Sequence, residues 1–162
     1  MSREKEVLDS LVENARYSVS EISRMTGLDE EEVEEIVSDL EDRGVIKGYR
    51  AVVDYEELES EPVSAYVEIN ISLDRETGYE EVARRISRFS EVESMHLVSG
   101  NYDFGVVVED ESMKMVSDFV SEKIAPVPEV TQTVTHFVMD TYKDRGFEMI
   151  GDGDDSRLSV SP

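Results

Sequence analysis

Apolar residues recur along this chain in two rhythms: a helical one through the first third, and from Pro62 onward a strand-like alternation interleaved with further helical stretches. In residues 4–15, "EKEVLDSLVENA", Val7, Leu8, Leu11 and Val12 fall on one helical face. Ser18 and Glu21 then make a capping-box pattern at the head of a second, shorter helix, whose Ile22 and Met25 supply the buried side. The "TGL" sequence turns the chain sharply. Asp29 and Glu32 repeat the capping pattern before a third helix, in which Val33, Ile36, Val37 and Leu40 form the core-facing stripe and which Gly44 ends. Three helices with a glycine turn between the second and third predict a helix-turn-helix domain. After it, "VIKGYRAVVD" predicts two short strands around Lys47 and Gly48, a wing appended to that domain.

The second rhythm opens with "VSAYVEINIS", where Val63, Ala65, Val67, Ile69 and Ile71 alternate with polar or mixed residues, as in a half-buried strand. "GYEEVARRISRF" follows with Tyr79, Val82, Ala83, Ile86 and Phe89 at helical spacing. "VESMHLVS" and "DFGVVVE" read as strands joined at "GNY". "SMKMVSDFVSEKI" reads as a helix with Met113, Val116, Phe119 and Val120 inward and Met115 also in its core, and "EVTQTVTHFVMDTY" is the last strand. The order β-α-β-β-α-β predicts a ferredoxin-like sandwich, one sheet covered by two helices. The fold class is therefore α+β: a winged helix-turn-helix at 1–54, an acidic linker at 55–62, a ferredoxin-like module at 63–143 and a tail at 144–162. The uncovered face of the sheet, with Tyr66, His96, Thr133 and Thr135, is too bulky for bare solvent, so a second copy packed face to face is expected to bury it. In the tail, "GDGDD" reads as mobile, and "RLSV" as able to pair with an edge strand of a neighbour.

Charge complicates the picture. The chain carries 39 acidic against 16 basic residues, a formal charge of −23. A surface so negative repels nucleic acid as a whole, so any DNA contact must be local. Arginine outnumbers lysine 11 to 5, and the composition resembles that of proteins from cells that keep concentrated salt inside. Zero cysteines exclude disulfides, thiolate zinc sites and cysteine nucleophiles. With no apolar run long enough to span a bilayer and no secretion-signal pattern at the N-terminus, the expected location is cytoplasmic and no membrane partner is expected.

Four phrases, "ISRMTGL", "LEDRGVIKGYRAVVD", "SGNYDF" and "TQTVTHFV", together resemble the Lrp/AsnC family, the leucine-responsive or feast/famine transcription regulators, from about residue 4 to residue 143. The resemblance implies an N-terminal module that binds double-stranded DNA. It also implies a C-terminal module of the RAM type that forms homodimers or higher homo-oligomers and takes an amino acid or related small molecule between dimers. One departure stands out. Where the family usually places Arg, Lys, Ser, Thr or Gln on the exposed side of the third helix, this chain has Glu30, Glu31, Glu34, Glu35, Asp39, Glu41 and Asp42, with Ser38 the one ordinary groove-reading residue. A carboxylate near a phosphate costs about 1 kcal/mol per close pair in a water-like dielectric, so DNA binding is weakened there. The attractive groups lie around the helix: Arg16, Arg24, Arg43, Lys47 and Arg50. They form either a rim that straddles a groove and holds phosphates, or an ordinary solvated surface.

The effector site implied by the resemblance is the turn Ser99, Gly100, Asn101, Tyr102 and Asp103, bordered by the strand carrying Thr131, Thr133 and Thr135. Gly100 lets main-chain amides approach a ligand carboxylate, and Asp103 can meet an α-ammonium group. A plain hairpin connection would account for the same glycine and asparagine. His96 and His136 lie on different strands of one sheet and could come near each other, but without cysteine or a clear third ligand a core or interface role is expected of them. Heme-pathway decarboxylases of this two-module architecture are the enzymatic alternative, but the basic and aromatic residues needed for a tetrapyrrole's carboxylates are lacking. "GDGDD" lacks the other ligands of a calcium loop. No catalytic residue, metal or cofactor is therefore expected. The reading is a regulator whose sensor domain responds to an amino acid, with a sensor that docks on a basic protein partner instead of DNA as the second possibility.

Overall fold

The computed structural model describes residues 2–55, 58, 61–73 and 78–149, and the chain divides into two compact units, Met1–Val52 and Val53–Pro162. Unit 1 holds three helices, α1 (Arg3–Glu13), α2 (Val19–Thr26) and α3 (Glu30–Asp42). Val7, Ile22 and Val33, one from each helix, meet at its centre, and Leu11, Tyr17, Val19, Leu28, Ile36 and Val37 pack around them. Two residues placed inside by helical spacing are outside: Val12 is 78% exposed and Met25 52%. Each sits in the last turn of its own helix.

Local chemistry sets the helix ends. The Ser18 side chain accepts from the Glu21 N–H while the Ser18 N–H donates to the Glu21 carboxylate at 2.8 Å, so the capping box closes. This holds the Glu21 carboxyl below its ordinary pKa, chiefly through the bond to the Ser18 backbone. Gly27 ends α2 in the left-handed region at φ 74°, which a side chain would resist. The second expected capping box is not made. Asp29 forms no side-chain cap, and Glu32 instead pairs with Arg3 of α1, trading a local bond for one between helices. α3 closes in a Schellman motif, with Gly44 at φ 66°, its N–H bonded to the Glu41 carbonyl and the Val45 N–H reaching back to Leu40 at 2.8 Å. The two wing strands expected around Lys47 and Gly48 are absent from this segment. Both common two-residue hairpin turns need positive φ at their first central residue, which Lys47 does not adopt, and residues 45–54 run on without ladder bonds.

Unit 2 is built on a four-stranded antiparallel sheet in the order β2-β3-β1-β4, from β1 (Val63–Ile71), β2 (Val92–Leu97), β3 (Phe104–Asp110) and β4 (Val130–Phe137). Helices α4 (Tyr79–Ile86) and α5 (Met113–Phe119) intervene, and α5 runs directly into a π-helical turn, Val120–Ile124. This is the expected ferredoxin-like topology. Ala65, Val67 and Ile69 of β1 and Phe104, Val106 and Val108 of β3 are buried beneath Val82, Ile86, Val116, Phe119, Val120 and Ile124 of the helical layer. Met113 and Met115 are not part of this core. They are 49% and 43% exposed, because the stripe that faces the sheet runs through Val116 and Phe119.

Register corrects the faces of the sheet. Thr133 pairs with Ile69 and Thr135 with Val67, so both threonines share the helix-covered side, whereas Tyr66 pairs with His136 and Glu68 with Gly105 on the open side. A bulge at Asn70 and Ile71 shifts the pairing beyond Thr131. The last strand stops at Phe137, earlier than its sequence pattern predicts. Beyond it a small hairpin, β5 (Lys143–Asp144) with β6 (Phe147–Glu148), occupies the start of the expected tail, and Met149 after it is buried. The "GDGDD" and "RLSV" stretches lie outside the described residues.

Candidate functional site

The outward side of α3 is as acidic as its sequence predicts. Glu30, Glu31, Glu34, Glu35, Asp39, Glu41 and Asp42 are all exposed, with Ser38 exposed among them. Two of these carboxylates already have partners. Tyr49 donates to Glu41 at 2.9 Å, and Asp39 accepts from Arg43 at 2.7 Å. Arg43 is thus drawn inward: its guanidinium also contacts Glu4 of α1 at 2.6 Å, and the bond to Glu4 together with the charge of Asp39 raises its pKa. A cation held between two carboxylates has little charge to spare for a phosphate, which makes Arg43 a clamp of α1 on α3 first. Arg16 is exposed beyond the end of α1, and Arg24 is exposed on α2 with its Nε donating to the Ser20 carbonyl at 3.2 Å. Lys47 is exposed and folds its ammonium group over Gly44, where a Cβ would lie 2.7 Å from Nζ. Arg50 is exposed farther along the same segment.

In unit 2 the turn Ser99–Asp103 joins β2 to β3. Ser99, Gly100 and Asn101 are exposed, and a Cβ added at Gly100 would meet nothing within 4 Å, so a ligand can approach the main chain there. Asp103 is not idle. Its Oδ2 accepts the Ile71 N–H at 2.9 Å and its Oδ1 the Tyr79 O–H at 3.3 Å, while its own N–H donates to the Ile69 carbonyl at 3.0 Å. The negative charge of Asp103 and this bond push the Tyr79 phenol up in pKa. The carboxylate thereby braces the turn against the end of β1 and the start of α4. Thr131 donates to the Asn70 carbonyl at 3.1 Å, and Thr133 lies across from Ile69, so these two share the sheet end on which the turn sits. Thr135 pairs one step farther in.

A link between Tyr66 and Tyr102, two residues the sequence places apart, on the open face and in the turn, completes this end of the sheet. Tyr66 and Tyr102 join their hydroxyls at 2.9 Å with ring centroids 6.2 Å apart at 75°, and the Tyr66 ring lies over Gly105. The signal was a glycine inside an otherwise β-branched strand, "FGVVVED", which commonly marks a close approach by another group. The bond to Tyr102, then burial, pushes the Tyr66 phenol up to about 12. The folded state thus favours the protonated phenol. This contribution to stability is complete below the ordinary tyrosine pKa of 10 and is lost as pH rises through about 12. In an alkaline absorbance titration at 295 nm, the difference between the chain and its Tyr66→Phe variant is expected to report one phenol ionising near 12. A midpoint near 10 would contradict the bond.

His96 and His136 do not approach each other. They stand on β2 and β4, the two edges of the sheet, separated by about three strand spacings or roughly 14 Å. His136 instead meets Glu68 at 3.2 Å. Among the described residues no group of three or more potential metal ligands forms. The surface of α4 is a charge-paired helix face, with Arg84 on Glu80 at 2.9 Å and Arg85 on both Glu81 and Glu129. No helix among the described residues is long and apolar enough to cross a membrane.

Two family models match the chain, one within each unit. Residues 2–47 match the model of the winged helix-turn-helix DNA-binding family, and residues 64–146 that of the Lrp/AsnC ligand binding domain. The chain is 40% identical to the uncharacterized HTH-type transcriptional regulator YugG of Bacillus subtilis over 99% of this chain and 97% of that protein. It is 30% identical to the leucine-responsive regulatory protein of Haemophilus influenzae over 87% of this chain and 84% of that one. Among solved structures, the leucine response regulatory protein LrpA of Mycobacterium tuberculosis superimposes with a TM-score of 0.74 at 25% identity, covering 93% of this chain and 99% of that one. The feast or famine regulatory protein of M. tuberculosis, complexed with L-methionine, does so with 0.69 at 26% identity, covering 88% and 93%. A capped helix-turn-helix, a ferredoxin-like sheet of matching topology and these similarities in both units show that the chain belongs to the Lrp/AsnC family of transcriptional regulators.

Proposed function

We propose that this chain is a cytoplasmic regulator that holds duplex DNA through the flanks of its helix-turn-helix and senses an amino acid at the turn Ser99–Asp103. What supports the DNA half is that Arg16, Arg24, Lys47 and Arg50 are all exposed in a unit whose capping box, left-handed Gly27 turn and Schellman end build the helix-turn-helix. Ser38 is the base-reading candidate on α3, and Arg43 serves mainly to clamp it. The relative complexed with L-methionine supports an amino-acid effector. The exposed main chain at Ser99–Asn101 would take its carboxylate, and the remaining acceptor capacity of Asp103 its ammonium group, with Tyr102, Thr131, Thr133 and Thr135 at the border. Homodimers or larger homo-oligomers would cover the open sheet face. An effector that binds one assembly better than another would then change the spacing of the DNA-binding heads. No reaction and no cofactor are proposed.

The seven exposed carboxylates of α3 favour a second reading, in which the acidic head docks on a basic protein partner. Binding to fragmented genomic DNA over a salt series separates the two. Flank-held DNA requires affinity that falls steeply with salt, and Arg16→Ala or Lys47→Ala should each flatten the log–log slope by about 0.9. No binding at low salt, or slopes unchanged by either substitution, would leave the protein-partner reading standing.

A further inference from the structure

We propose that Tyr66 is a positioning residue for the effector turn, bracing it through Tyr102 from the sheet face opposite the helices. The inference rests on the reading of Ser99–Asp103 as the effector site. In register Tyr66 stands between Val107 of β3 and His136 of β4, on the open face. Its ring leans diagonally across β3 toward the turn instead of standing over its own neighbours, and the path it takes is opened by Gly105. A Cβ at that position would lie 1.9 Å from the Tyr66 hydroxyl and 2.7 Å from Cζ. Glycine inside a strand gives up packing and conformational stability, and a close approach by another group is its usual reason. Here the group is the phenol ring, and what it reaches is Tyr102.

The turn therefore has two braces. From the helix side, Asp103 binds the Ile71 amide and the Tyr79 hydroxyl. From the open side, Tyr66 meets Tyr102 hydroxyl to hydroxyl at 2.9 Å, edge to face. Between them the two phenols carry two hydrogens and use one in this bond, so the second O–H is left to a further acceptor. Tyr66 is thus placed to fix where Tyr102, and with it the exposed main chain of Ser99–Asn101, stands when a ligand arrives. Asp103 alone fixes only the end of the turn that enters β3.

The test uses the full chain. Tyr66→Phe keeps the ring over Gly105 and removes only the hydroxyl; Tyr102→Phe removes the other half of the bond. In the absence of ligand, hydrogen exchange of the Val98 and Asp103 amides, which bond to the Asp103 and Ile69 carbonyls at the two ends of the turn, is expected to speed up roughly three- to tenfold in either variant, the effect of losing one ordinary hydrogen bond. The double variant should show no further change, and the amides pairing β1 with β4 should stay as they were. Turn exchange that is unchanged in both variants, or a general increase across the sheet, overturns the proposal. Calorimetric titration with the twenty amino acids judges the effector reading separately. If the parent chain binds none, that reading falls, and the exchange result alone decides whether Tyr66 positions the turn. If the parent binds one, Tyr66→Phe should weaken it by a similar factor, and unaltered affinity would overturn the proposal.

Discussion

Replacing Phe104 by alanine is expected to remove about 3–5 kcal/mol from the stability of the ligand-binding unit. Phe104 is 1% exposed and opens β3, where it pairs with Ile69 on one side and Leu97 on the other. Its ring meets that of Tyr79 edge to face at 5.9 Å, so a truncated side chain would leave a void between the sheet and the first turn of α4. The cost is the lost transfer of the ring out of water plus the cavity, because Ile69 on the central strand cannot move to fill it. For a unit of this size the melting temperature should fall by at least about 12 °C in a circular-dichroism melt. The neighbouring Asp103 brace should loosen with it. A loss below about 1 kcal/mol would mean that the helical layer collapses into the space and that Phe104 is not the keystone of this sheet end.

Changing Glu30, Glu31, Glu34 and Glu35 together to glutamine should strengthen DNA binding by roughly tenfold to a few hundredfold at low salt. Each carboxylate brought near a phosphate opposes binding by about 1 kcal/mol at a separation of some 4 Å in water, and screening takes back a share. The gain should shrink as salt is raised, because the removed repulsion is itself screened. Glu30 and Glu31 lie in the first turn of α3, where negative charge suits the helix dipole, so a small loss of helix stability accompanies the change and is read from the same melts. Fluorescence anisotropy of a labelled duplex gives the affinities. If the quadruple variant binds no more tightly than its parent, α3 does not approach the phosphates, and the basic-protein reading gains.

What the sequence disclosed depended on how local the cause was. The stripe Val33, Ile36, Val37 and Leu40, the Ser18–Glu21 box and the Gly27 and Gly44 stops are decided within four residues, and all are in the structure. The β-α-β-β-α-β order was equally legible, because period-two and helical spacing alternate cleanly from Val63 onward. What failed was decided at a distance. Alternation alone assigns Thr133 and Thr135 to a face only relative to one another; their actual side follows from pairing with Ile69 and Val67, far away in the chain. Glu32 left its expected cap for Arg3, and Arg43 turned from a DNA-facing cation into a link between α1 and α3, each through a partner about thirty or more residues off. Strand pattern predicts a ladder around Lys47 and Gly48, which residues 45–54 do not form, although residues 2–47 match the winged helix-turn-helix family. At the candidate effector site, the turn was visible as "SGNYDF", but the Tyr66 ring over Gly105 was not, because one end of it comes from β1.

The central strand β1 also dictates the order in which the protein can be assembled. Val67 finds its two neighbours in Val106 and Thr135, so nothing close in sequence holds β1 in place. At ribosomal rates of about 5–20 residues per second, β4 emerges roughly 3–14 s after β1, and for that interval the apolar side of β1 waits without its full sheet. The three helices of unit 1 depend on contacts nearer in sequence and on fast local steps. The head is therefore expected to be folded on the nascent chain while the sensor is still incomplete, which makes the sensor the half that most needs protection from aggregation during synthesis.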